Sequence, residues 1–75
     1  MKKPQFSPVR FRLMTETLKL DSYAIAAALN VSLPTVSRIR MGHQAPSGST
    51  AKLIQVLWPQ WWPFLTEQSS QLPEG

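Results

Sequence analysis

The chain has 75 residues, no cysteine, one histidine (His43) and a formal net charge of +4, with a pI near 10.2. That length makes one domain with a thin core, burying about 60–65% of its unfolded surface, and the composition excludes disulfides, thiolate metal sites and multi-histidine clusters. Four carboxylates that are not spaced as an acid–base pair, and a chain too small for an ordinary substrate pocket, argue against an enzyme and against any cofactor.

In chain order, residues 1–7 read as a flexible basic arm carrying Lys2 and Lys3. Ser7-Pro8 is a helix start, because serine caps and proline loses nothing at the first helical position. The first helix is predicted to run to about Lys19, with Phe11, Met14 and Leu18 on one face and Leu20 closing it. Asp21 caps a second helix, roughly Ser22 to Leu29, with Ile25, Ala26 and Leu29 inward. Asn30 tolerates the left-handed conformation that ends a helix abruptly. Ser32 caps a third helix, Leu33 to Met41, which Gly42 ends. Ser47 or Ser49 caps a fourth, to about Leu57, with either Ala51, Ile54 and Leu57 or Leu53 and Leu57 inward. A short fifth helix starts near Trp62-Pro63 and runs to about Gln68, and residues 68–75 are expected to fray. The fold class is therefore all-α, a four- to five-helix domain over residues 8–67. No apolar run approaches the roughly 18 residues that a membrane span needs, so a cytoplasmic protein is expected.

The charge is unevenly placed. All eight basic residues lie in residues 1–52 with only Glu16 and Asp21, giving 8 − 2 = +6. Residues 53–75 carry only Glu67 and Glu74, or −2. A basic front and an aromatic rear suggest two different partners. The rear is WPQWWPFL, and a thin core does not obviously hide Trp58, Trp61, Trp62, Phe64 and Leu65. These five are expected to form a homodimer interface, since large exposed aromatic patches mark contacts.

Projected at about 100° per residue, the third helix turns Val36 and Ile39 one way, with Thr35 at the edge. It turns Leu33, Pro34, Ser37, Arg38 and Met41 the other way. Helices two and three are joined by Asn30-Val31-Ser32, the turn length of a helix-turn-helix. Ala26 is small where the helices must cross closely, and Val31 plugs the turn.

The segment LDSYAIAAALNVSLPTVSRIRMGHQAPS resembles the lambda-repressor-like, Cro-type helix-turn-helix family. The resemblance rests on Leu20, Ile25, Ala26, Leu29, Val31, Ser32, Thr35, Val36, Ser37, Ile39, Gly42, Pro46 and Ser47. It implies a five-helix domain with the third helix in the major groove of double-stranded DNA. Leu33, Pro34, Ser37 and Arg38 would then face base edges, with Arg38 suited to the O6 and N7 of a guanine. Ser22, Tyr23, Thr35, Arg40, His43, Gln44, Lys52, Lys2 and Lys3 would contact phosphates. Ser22 stands where the family usually has glutamine, Asn30 where it has glycine, and Arg40 where it often has glutamate.

The expected function is a small homodimeric transcriptional repressor, of the kind mobile elements carry, reading a palindromic operator in a bacterial cell without a small-molecule effector. Two alternatives stand beside it. One is a recombination-directionality or architectural DNA-binding factor. The other is an antitoxin-like interaction module using residues 58–67.

Overall fold

The start of each of the first four helices is fixed by one side chain. Ser7 Oγ accepts the Arg10 N–H at 3.3 Å and Asp21 Oδ1 accepts that of Ala24 at 2.7 Å. Ser32 Oγ accepts the Thr35 N–H at 3.3 Å, and Ser47 Oγ that of Thr50 at 3.4 Å. Each cap satisfies a first-turn donor that has no partner within its own helix. In the computed structural model, which describes residues 5–69 and 71–72, the elements are α1 (Pro8–Thr17), α2 (Ser22–Leu29), α3 (Leu33–Met41), α4 (Gly48–Leu57) and α5 (Trp62–Leu65). The fold is all-α, with no strand among the described residues.

Two helices end on left-handed residues. Asn30 takes φ 55°, ψ 48°, and the next residue, Val31, donates its N–H to Ala26 O at 3.0 Å. Gly42 takes φ 81°, and a Cβ there would also stand 3.3 Å from Pro8 Cγ, so both its conformation and the approach of α1 favour glycine. Only Asn30, Val31 and Ser32 lie between α2 and α3.

The core is drawn from every helix. Phe11 and Met14 come from α1, Ile25 and Leu29 from α2, Val36 and Ile39 from α3, Ile54 from α4, and Phe64 and Leu65 from α5, with Trp61 just before it. Leu18, Leu20, Ala26 and Val31 pack against this cluster from partly buried positions. On α1, α2 and α3 the inward faces are those that the spacing predicts.

Three expectations change. On α4 the inward residues are Thr50 and Ile54, with Ala51 half-buried, while Leu53 and Leu57 are exposed. Five apolar residues spread round that helix leave its inward face undetermined by periodicity, and the core selects the Thr50–Ile54 side. The aromatic rear is largely interior. Trp61 and Phe64 are each 6% exposed and Leu65 is fully buried, whereas Trp58 and Trp62 pack against the core half-buried. Trp61 and Phe64 meet edge to face, centroids 5.8 Å apart at 74°. Trp61, Phe64 and Leu65 therefore cannot be the exposed dimer interface assigned to them, because one chain already covers them.

The third change concerns the ends. The fifth helix stops at Leu65, and the chain beyond it folds back, with Gln68 and Ser69 both donating N–H groups to Pro63 O at 2.8 and 3.1 Å. At the front, Phe6 lies 5.3 Å from Phe11 between centroids, and the Ser7 N–H bonds Leu65 O at 2.7 Å. Phe6, Ser7, Gln68 and Ser69 thus belong to the folded body and not to an arm or a frayed tail. Lys2 and Lys3 lie outside the described residues.

Candidate nucleic-acid interface

The candidate surface is built on α3. Val36 and Ile39 are buried against α1 and α2, which fixes the rotation of the helix about its axis. That rotation leaves Leu33, Pro34, Ser37 and Arg38 exposed, the four residues expected at base edges. They occupy the first two turns of the helix. The first of these is stiffened by Pro34 at a position where its missing N–H has no helical partner to lose. Thr35 sits at the edge, half-buried, its hydroxyl 2.8 Å from that of Ser32.

Residues expected at phosphates divide into three groups. Ser22 and Arg40 come together: Arg40 Nη1 donates to Ser22 Oγ at 3.2 Å, bridging α3 to the first residue of α2. Tyr23, next along α2, is 73% exposed. His43 and Gln44 follow α3 with exposed side chains, and both donate backbone N–H groups to Arg38 O, at 2.9 and 3.3 Å. Their backbone therefore closes the helix, leaving only the side chains for a partner. Lys52 is exposed on α4, which packs on α2.

Comparison of the chain with protein-family models, with curated proteins and with solved structures finds no match in any of the three.

Arg12 was not singled out by sequence. It is exposed on α1 and lines a cleft of about 360 Å³ together with Ser22, Ser37, Arg40 and Met41. Its signal in the sequence was weak, because it is one of two arginines on α1, and nothing in the spacing separates their roles. The other, Arg10, turns the opposite way. Its Nη1 donates to Phe64 O at 2.9 Å and to Ser69 O at 3.0 Å, and its guanidinium lies 4.6 Å from the Phe64 ring centroid. Arg10 is a structural clamp and is withdrawn from the basic surface.

Proposed function

We propose that the chain is a sequence-specific, double-stranded DNA-binding transcriptional regulator acting in the bacterial cytoplasm, with α3 as the element that enters the major groove. One observation carries this reading. Val36 and Ile39 anchor α3 from one side while Leu33, Pro34, Ser37 and Arg38 stand exposed together on the other, directly after a three-residue turn from α2. A helix whose outer face is small and rigid at its N-terminal end and cationic one turn later suits insertion by that end. The net charge of +4 adds non-specific attraction to the phosphate backbone.

A homodimer on a palindromic site remains part of this reading, with a different interface from the aromatic cluster. Leu53, Val56 and Leu57 form an exposed stripe on α4 at i, i+3, i+4, next to half-buried Trp58. No ionisable side chain occurs from Leu53 to Thr66, so the stripe itself is uncharged, with the exposed Lys52 at its rim. Use of residues 58–67 to grip a foreign protein is disfavoured, because Trp61, Phe64, Leu65 and Thr66 are buried.

The test is selection of duplex sites from a random pool, followed by gel shift of wild type and Arg38→Ala on selected and random DNA. The variant should lose about 10- to 100-fold on the selected site, the worth of one bidentate base contact, and little on random DNA. Equal binding by both proteins to both duplexes would remove Arg38 as a reader.

A further inference from the structure

One thioether lies among the polar groups of the candidate surface. Met41 is the last residue of α3 and is 65% exposed. Its Sδ accepts the Ser37 hydroxyl at 3.8 Å, one turn back on the same helix. Thioether sulfur is a weak acceptor, so this contact holds Ser37 only lightly. Met41 also lines the cleft that Arg12, Ser22, Ser37 and Arg40 complete, with no carboxylate among the lining residues. The sulfur atom therefore shares one open space with hydroxyl and guanidinium donors and with no anionic acceptor.

The rest of the chain makes Met41 the selective target of an oxidant. There is no cysteine, so no thiol competes for it. Met14 is fully buried in the core, out of reach while the domain is folded. The remaining methionine, Met1, lies outside the described residues.

We infer that Met41 is a modification site, whose oxidation to the sulfoxide by a peroxide captures the Ser37 hydroxyl and lowers the affinity of the α3 surface for DNA. A sulfur lone pair attacks one peroxide oxygen, and the S–O bond forms as the O–O bond breaks. With hydrogen peroxide the second oxygen leaves as water, so sulfur is oxidised by two electrons and the peroxide is reduced by two. The product turns a flexible apolar side chain into a polar one. Its oxygen bears the negative end of the S–O dipole and accepts hydrogen bonds more strongly than the sulfur it replaces. The side chain is flexible, so an oxygen on either lone pair can turn into the cleft. There it takes the Ser37 hydroxyl from its weak contact and competes for the exposed Arg12 guanidinium. Ser37, expected at a base edge, is then held by its own helix. The effect on affinity rests on the DNA-binding reading, and the capture of Ser37 does not.

The test treats the full chain with dilute hydrogen peroxide. Peptide masses locate the added oxygen, NMR follows the Ser37 Cβ and Arg12 Nε–H resonances, and gel shift measures affinity for a selected duplex. Wild type and Met41→Leu are each compared with themselves before and after treatment, because leucine has a similar volume and no sulfur. Methionine sulfoxide reductases of both epimer specificities, with a thiol reductant, are then added to oxidised wild type. That reversal is read in the wild-type chain, so a folding defect in the leucine variant does not silence the test.

Met41 should gain one oxygen well before Met14, with Ser37 and Arg12 both shifting. Wild-type affinity should fall about 3- to 10-fold, the worth of one captured hydrogen-bonding group, and return after reduction. Met41→Leu should keep its own affinity through the treatment. Equal rates of oxidation at Met14 and Met41, or a fully converted Met41 that leaves Ser37 and Arg12 unmoved, would overturn the site. If the reduced protein binds its duplex and the converted protein binds equally well, the control of affinity fails while the DNA-binding reading survives. If Ser37 and Arg12 shift but neither form binds any duplex, the modification and its contact stand, and the DNA-binding reading fails.

Discussion

Arg10 and Arg12 lie two positions apart on α1, and the helix sends them to different tasks. Arg10 bonds two carbonyls of the C-terminal segment and stacks on Phe64, joining parts of the chain 54 and 59 residues apart. Hydrogen bonds from a charged donor and a cation–π contact are each individually modest, and partial exposure screens them. Together, and with the Ser69 carbonyl losing its side-chain donor, they should be worth about 2 kcal/mol. Arg10→Ala should therefore lower the melting temperature by about 10 °C in a domain of this size. Its affinity for random duplex, measured well below the melting point, should stay near wild type. Arg12→Gln should do the reverse. If Arg10→Ala melts like wild type, the clamp contributes nothing, and α5 is held by its core side chains and the Ser7–Leu65 bond without it.

Among the elements, the α2–α3 unit was the most legible from sequence, and its turn shows why. Asp21, Asn30, Ser32 and Gly42 are residue types whose short side chains or missing Cβ act within a few positions, so their effects can be read locally. Asn30 adopts the left-handed conformation (φ 55°) expected of it. Asn30→Gly should be neutral or slightly stabilising, because glycine reaches that region without a Cβ penalty. Asn30→Val should cost about 1–2 kcal/mol or more and splay the turn, since left-handed backbone is unfavourable for a β-branched residue. Urea midpoints of the three proteins check this, and a wild-type midpoint for the valine variant would mean that the turn does not need its present geometry. What sequence did not reveal depends on distant residues. The inward face of α4 is chosen by a core built from all five helices. The cover over Phe64 comes in part from Arg10 at the other end of the chain. Ser22 and Arg40 are expected singly at phosphates, Ser37 at a base edge and Met41 on the outward face of its helix, and only the packing of α1 and α2 on α3 brings them together with Arg12 in one concave site.

At the scale of the whole molecule, burial of the aromatic cluster moves the question of self-association to α4. Trp61→Ala is now a core truncation and should cost about 3–5 kcal/mol, enough to unfold much of a marginal small domain. It therefore cannot report on an interface. Val56 is 67% exposed on the uncharged stripe with Leu53 and Leu57, and a lysine there removes little that one chain buries. Val56→Lys should keep its melting temperature within about 4 °C of wild type, as surface substitutions do. It should also place a cation against its symmetry mate at a two-fold contact, where the same patch meets itself. Sedimentation velocity should then show wild type moving toward a dimer as concentration rises, and Val56→Lys remaining a monomer. On a palindromic duplex the wild type should bind two copies cooperatively. The variant should fill the half-sites one at a time, each with the intrinsic affinity that Arg38 and the cleft residues provide. A wild type that stays monomeric at high concentration and binds half-sites independently would rule out the α4 contact, leaving α3 and the cleft as the whole of the recognition surface.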